Sequence, residues 1–418
     1  MRGLYTLLLY LIAPAVVLRL LWRSRRNPGY RQRIPERFGF GRAFAQRPRI
    51  WIHAVSVGET IASVPLVRRL QQQYPGYAVL VTNTTPTGAA QVRRLFGDTV
   101  ENAYLPYDLP GAVERFLERA RPRVVLCMET EIWPNLFAAC ARRNVPVFIA
   151  NARLSARSAR AYARVAALTR ATLGQVATVA ARDARDAQRF RALGAPRVFV
   201  AGNLKHDLDV PATARETGMV LRAALGADRP VWIAASTHAG EDEIVLDAHR
   251  RLCGRLPDAL LILVPRHPER FDEAAARSAS AGFVTRRRSL DIVPDAQTQV
   301  FIGDTLGELM CFYAAGDVAF VAGSFVEVGG HNPLEPVALG LPVLTGPQVF
   351  NFEQVYAALF AANAARQVDD AGALAMALVE LFAAPEQRAR MGEGGERVLA
   401  AHRGATDHLA ALLADALG

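Results

Sequence analysis

From position 49 onward, short runs rich in β-branched residues alternate with amphipathic stretches, the pattern that parallel βα units require. Segments 50–54, 79–82, 124–128, 145–150, 178–180 and 198–201 read as strands of one sheet. Segment 207–228, polar and carrying Pro211, reads as a linker. Segments 231–235, 260–264, 300–302, 318–322 and 342–344 begin a second series. The pattern predicts an α/β protein with two Rossmann-like doubly wound domains, 23–206 and 229–385. They are expected to face a central cleft at the carboxyl ends of their sheets, where ligands of open α/β folds bind. Segment 386–418 is expected to form helices that pack back on the first domain.

Ahead of the first strand, segment 4–22 is apolar apart from Arg19 and is followed by Arg23, Arg25, Arg26, Arg31, Arg33 and Arg37. A helix of that length rises about 28 Å against a hydrocarbon core of about 30 Å. Segment 1–22 is therefore expected to anchor the chain in a membrane. Pro14 and Arg19 weaken a full crossing and leave a helix lying in the interface as the alternative. No small-residue cleavage motif follows, which argues against a removed signal peptide. The arginine cluster places the remaining domains on the cytoplasmic side. A core helix of a soluble domain is the competing reading.

Composition narrows the classes. Of 418 residues, 51% are apolar and 21% charged, which is globular rather than disordered. The four cysteines, at 127, 140, 253 and 311, have no paired spacing and suggest neither a disulfide framework nor a zinc site. A net charge of +10 would suit nucleic acid, an anionic membrane or an anionic substrate. Aromatic and basic residues are not interleaved as single-stranded nucleic acid requires, so a nucleic-acid partner is not expected. Of the 49 basic residues all but Lys205 are arginine, so 48 are Arg. Lysine is a compact, strongly hydrated point charge with properties arginine lacks.

Nearly every unusual motif follows a predicted strand. After the first comes H-A-V-S-V-G-E, in which Glu59 could deprotonate an acceptor hydroxyl or merely complement a helix dipole. After the third comes M-E-T-E-I-W-P-N-L, with Glu129 and Glu131 two residues apart; spacing does not decide which faces a ligand. N-A-R-L-S-A-R-S offers Arg153 and Arg157 as an anion clamp, or an N-cap at Ser155 or Ser158. Lys205 lies in G-N-L-K at a strand end, placed to bind developing negative charge. In the second series, G-G-H-N-P-L-E-P reads as a glycine-rich turn entering a helix, with Asn332 as N-cap, Pro333 at the first position and Glu335 as a capping-box partner. That is an anion site by geometry and dipole, with Arg266 as its charge partner. No P-loop, dinucleotide fingerprint or H-x-x-x-H spacing occurs, nor a D-x-D pair of the kind that would hold a metal on a diphosphate, so no cofactor and no metal are expected.

These motifs, together with S-T-H-A-G-E, V-P-R-H-P-E-R-F and G-D-T-L-G-E-L, closely resemble the Kdo (3-deoxy-D-manno-octulosonic acid) transferase family of lipopolysaccharide biosynthesis. The resemblance runs from the apolar amino terminus to at least Phe352. It implies a two-domain GT-B glycosyltransferase fold and inverting, metal-independent transfer of Kdo from CMP-Kdo to a lipid A precursor at the cytoplasmic face of the inner membrane. It further implies Glu59 as proton acceptor, with Glu129 and Lys205 as transition-state stabilisers. CMP would be bound by Pro265, Arg266, Leu306, Gly307, Glu308, Asn332, Pro333, Leu334 and Glu335. Rival readings are another GT-B transferase or a 2-epimerase, either of which would bind UDP.

Overall fold

The structure, a computed structural model, describes residues 1–25, 27–207, 210–290 and 294–417. Arg26 of the arginine cluster and positions 208 and 209 of the expected linker lie outside the described residues. The chain divides into two compact units, Met1–Asp207 with His402–Gly418, and Leu208–Ala401.

In the first unit the strands are β1 (Arg49–His53), β2 (Ala78–Asn83), β3 (Glu101–Tyr104), β4 (Pro122–Met128), β5 (Val147–Ala152), β6 (Thr178–Ala181) and β7 (Val198–Val200). They form one sheet in the order β3-β2-β1-β4-β5-β6-β7. The second unit holds β8 (Val231–Thr237), β9 (Leu260–Pro265), β10 (Thr285–Arg287), β11 (Val300–Ile302), β12 (Val318–Val321), β13 (Val343–Thr345) and β14 (Ala365–Gln367). Their order is β10-β11-β9-β8-β12-β13-β14. All the strand pairs in both sheets are parallel. Helices cover both faces, so central strands such as β1, with all five residues buried, read as unbroken apolar runs. Three strands escaped the sequence pattern: β3, β10 and β14. Each is an edge strand carrying charge, at Glu101, at Arg286 and Arg287, and at Arg366 respectively. Charge keeps an edge from pairing with another chain and erases the apolar signal.

Two boundaries differ from expectation. Most of the expected linker is a helix, Ala212–Leu225. Its polar residues face outward, while Gly218 sits so close to a neighbouring helix that a Cβ there would lie 2.3 Å from the Ala314 Cβ. Arg222 holds Asp317 through two 3.1 Å hydrogen bonds. The closing helices also divide: Pro385–His402 belongs to the second unit up to Ala401, and only Ala405–Leu417 packs on the first. There Leu409, Leu413 and Leu417 join the core of Leu66, Leu70 and Val79, and the Asp207 carboxylate accepts from the Gly404 and Thr406 amides.

The amino-terminal helix, Arg2–Arg23, turns one stripe toward the first unit. Tyr5, Leu9, Ala13, Val16 and Leu20, three or four residues apart, are shielded, whereas Leu4, Leu7, Leu8, Leu11, Ile12, Leu18 and Leu21 are exposed. Both ends are tied down. Tyr5 donates to the Asp108 carboxylate at 3.0 Å, and Thr6 bonds Asn135. At the other end Arg31 donates to the Ser24 hydroxyl at 2.7 Å, and Arg23 lies 4.4 Å over the Tyr30 ring.

Candidate active site

An open α/β sheet binds ligands where its strand order reverses, just beyond the carboxyl ends. In the first unit that point lies between β1 and β4. The loops leaving these two strands carry Glu59 and the pair Glu129 and Glu131.

Glu59 is the third residue of the helix Val57–Ala62, whose N-cap is Ser56. Its amide donates to the Ser56 hydroxyl, which in turn donates to the carboxylate at 3.1 Å, while the Val55 amide donates to the other oxygen at 2.6 Å. The helix-capping role is therefore real, and it also fixes the carboxylate in place. Burial, reinforced by nearby Glu129, pushes the Glu59 pKa up to about 7, against the pull of the Val55 and Ser56 hydrogen bonds and of His53. Glu129 sits in the left-handed region at φ 58°, a strained conformation for a residue with a side chain, with its amide bonded to the Ala150 carbonyl. Its neighbour Glu131 points elsewhere, toward His53, with the carboxylate 3.8 Å from Nε2.

His53, at the end of β1, is fully buried, and its Nε2 makes no hydrogen bond among the described residues. Its Nδ1 lies 2.9 Å from the Thr82 hydroxyl, which accepts the Trp51 indole N–H at 2.8 Å. Nδ1 also lies 3.2 Å from the Thr82 carbonyl oxygen, so hydroxyl and carbonyl together fix that edge of the ring and turn Nε2 toward Glu131.

Lys205 is exposed on the single turn Leu204–His206, beyond edge strand β7. Asn151, in the left-handed region at φ 52° near the end of β5, accepts from the Leu204 amide at 3.1 Å and ties that turn to the sheet. The structure thus gathers Glu59, Glu129, Glu131 and His53 at one point and holds Lys205 beside β5. Ser155, not Ser158, caps the helix Ala156–Ala163, and Arg153, Arg157 and Arg160 are exposed around that cap.

In the second unit the order reverses between β8 and β12. Buried Glu241, which the sequence reading gave no role, clips the two loops together by accepting from the His238, Gly323, Ser324 and Phe325 amides at 2.8–3.0 Å. Pro265 ends β9, and Arg266 beyond it is exposed, its amide bonded to the Thr237 carbonyl. The expected helix entrance is smaller than the sequence suggested. The helix is only Leu334–Val337, with Pro333 rather than Asn332 at its N-cap, because Pro336 and Gly340 cut it short. Asn332 accepts from the Leu334 amide at 3.1 Å and its amide nitrogen lies 3.5 Å from Glu335, so the carboxyl does not close a capping box on the backbone. So short a helix has little macrodipole. Backbone geometry remains: Gly329 and Gly330 have φ of +94° and +76°, and a Cβ on Gly329 would strike the Phe350 ring at 2.4 Å. Leu306 is exposed beside Gly307 at φ +90°, while Glu308 is engaged by Arg288 at 2.8 and 3.1 Å. Three histidines, His238, His267 and His331, converge here from three loops. Their spacing along the chain offered no hint of this; only their common position just past neighbouring strands could have.

Two parallel α/β units, each with its polar side chains collected at the point of strand reversal, have the architecture of the GT-B fold. Solved structures agree on the fold. A UDP-GlcNAc 2-epimerase from Neisseria meningitidis aligns over 88% of this chain and 99% of its own with TM-score 0.57 at 15% identity. A glycosyltransferase from Rickettsia africae aligns over 89% and 98% with TM-score 0.56 at 11% identity. Sequence relatives go further. The chain is 45% identical to the 3-deoxy-D-manno-octulosonic acid transferase of Haemophilus influenzae, over 99% of this chain and 98% of that protein. It is 41% identical to the one from Bordetella pertussis over the whole of both. Residues 32–208 match the 3-deoxy-D-manno-octulosonic-acid transferase (Kdo transferase) family profile. This chain belongs to the Kdo transferase family.

Proposed function

We propose that the enzyme transfers Kdo from CMP-Kdo to a lipid A precursor with inversion and without a metal, and that Glu59 is its general base. The observation that carries this reading is the Glu59 carboxyl, fixed by Ser56 and Val55 and poised at a pKa of about 7. A base works best when its pKa lies near the working pH. In this reading an acceptor hydroxyl attacks the anomeric carbon of Kdo as its bond to the CMP phosphate breaks. The bonding pair leaves on the phosphate, and the hydroxyl proton moves to Glu59. Glu129 and Lys205 stabilise the charges that develop. Pro265, Arg266, Leu306, Gly307, Glu308 and Asn332 through Glu335 bind CMP, Glu308 by ordering Arg288 at the rim.

The acceptor arrives from the membrane, and the amino-terminal helix lies in the interface rather than crossing it. The bond from Tyr5, near the amino end of the helix, to Asp108 of the first unit supports a helix lying flat over one that carries that end away through a bilayer. Its exposed leucines suit the acyl boundary and the neighbouring arginines suit anionic headgroups. Tyr162, on the arginine-rich helix Ala156–Ala163, stands within electrostatic reach of both Tyr5 and Glu131, which links the anchoring helix to the acidic loop.

Transfer of labelled Kdo from freshly generated CMP-Kdo to tetra-acylated lipid A precursor, with EDTA present, tests the reading. Product from wild type and none from Glu59→Ala is expected. No product from wild type, with substrates verified on another enzyme, would overturn it.

A further inference from the structure

None of the roles given above involves the three histidines of the second unit. His238 and His331 lie in planes 5° apart with ring centroids 5.1 Å apart, yet their Nε2 atoms are only 2.8 Å from each other. The rings therefore meet edge to edge. An approach of that length is an N–H···N hydrogen bond: one ring donates from Nε2, and the other accepts at Nε2 and carries its hydrogen on Nδ1. His267 stands across His238 at 5.4 Å. The remaining charged groups near the pair among the described residues are Arg266, Arg270 and Glu241, with Glu335 within electrostatic reach of Arg266. Glu241 is engaged by four backbone amides. Burial, then the neighbouring imidazole and Arg266, hold His331 down to about 4, and burial also holds His238 below the usual histidine range. The empty pair is therefore neutral at pH 7, with one bare Nδ1.

We propose that His238 and His331 act as a proton-accepting pair that becomes charged when a phosphodiester enters this unit, so that nucleotide binding is coupled to uptake of a proton. The inference rests on the reading of this unit as the nucleotide site. The proton goes to the bare Nδ1 of the donating ring, leaving an imidazolium whose Nε2–H still bonds its partner, now as the stronger charge-assisted form. An anion within about 4–6 Å favours the charged imidazole and raises its pKa by about 1–3 units. The sign follows. Where the free pair is neutral and the bound pair charged, affinity rises as pH falls, and the gain ends once the free pair is itself protonated. The pair thereby adds a cation only when an anion is present, in a site whose fixed cation is Arg266. It also discriminates a nucleotide from the neutral nucleoside.

The test is calorimetric titration of the full-length protein with the methyl ester of cytidine 5′-phosphate, a diester with no proton to gain near neutral pH. Titrations at pH 7 in buffers of different ionisation enthalpy count the protons exchanged. Uptake of about half a proton at pH 7, rising toward one near pH 6, is expected, with affinity about tenfold tighter near pH 6 than near pH 8. In His331→Asn and His238→Asn, checked for unchanged melting temperature, both signatures should vanish while His267→Gln keeps them. Binding without uptake in wild type, or uptake that survives both asparagine variants, overturns the pair's role alone. Failure of the diester and of CMP itself to bind overturns the nucleotide reading, and the pair's role with it.

Discussion

The two sheets end in the same architecture and in opposite electrostatics. At the strand reversal of the first, carboxylates stand close together and only partly satisfied: Glu59 near Glu129, and Glu131 beside His53. At the strand reversal of the second, the carboxylates are engaged: Glu241 by backbone amides, Asp242 by Arg270, Asp304 by Arg287 and Glu308 by Arg288. Arg266 stays exposed there beside the imidazoles. A crowded, half-buried carboxylate gains proton affinity, which makes a base. Neutralised carboxylates beside open amides and a guanidinium make an anion holder. The fold supplies two equivalent edges, and the loop residues alone decide which becomes which.

The sharpest way to break this contrast is on the acidic side. Glu59→Gln keeps the shape and the Val55 contact but cannot accept a proton, so kcat should fall by about 10³. Nucleotide affinity should stay within about twofold of wild type if the two edges work independently. Lost CMP binding in this variant would undo the division of labour. A smaller loss is expected at Lys205, proposed above to stabilise developing charge. Lys205→Ala should lower kcat by about 10² with KM little changed, and Lys205→Arg should recover only part of it. Full activity in the arginine variant would remove the lysine from the chemistry.

The third test sharpens the contrast through pH. Since Glu59 must be deprotonated to act, kcat/KM should rise with pH through about 7. Glu129→Gln removes a negative neighbour that helps raise the Glu59 pKa, so the acid limb should move to lower pH by about half a unit, whatever happens to the plateau. A limb that stays in place, or moves up, would mean that Glu129 does not set the base.

Much of this was legible in the sequence, because Glu59, Glu129 and Arg266 follow strands that are buried on both faces and therefore largely apolar, while Lys205 follows the partly exposed edge strand β7. What was not legible has physical reasons. The edge strands β3, β10 and β14 carry charge where a central strand cannot. Segment 212–225 looked like a linker because its contact face is made of small residues, Ala214 and Gly218, whose burial depends on a neighbouring helix coming close. The left-handed backbone at Glu129 and Asn151 has no residue signature, and the His238–His331 bond joins positions 93 apart. The apolar amino-terminal helix was recognised by its leucines, while its seating on the first unit is set by Tyr5 and Thr6, two polar residues within an otherwise apolar run.

The finest expected effect lies beneath the acidic edge, at Trp51. Its indole N–H donates to the Thr82 hydroxyl, which lies 2.9 Å from His53 Nδ1 and helps hold the ring with Nε2 facing Glu131. Trp51→Phe keeps an aromatic ring against Phe116 but removes the donor, at a stability loss of about 1–2 kcal/mol for the hydrogen bond and lost volume. The Thr82 hydroxyl, relieved of the indole, can then change its bond with Nδ1, which shifts the balance between the two tautomers of the ring. Selective ¹⁵N labelling of histidine reads the outcome directly, since protonated and bare ring nitrogens resonate far apart. The tautomer balance of His53 should differ between wild type and variant, with kcat falling a few-fold and nucleotide affinity untouched. An unchanged tautomer would show that the Glu131 carboxylate, not the buried tryptophan, orients the histidine, and that the acidic edge is organised from its surface inward.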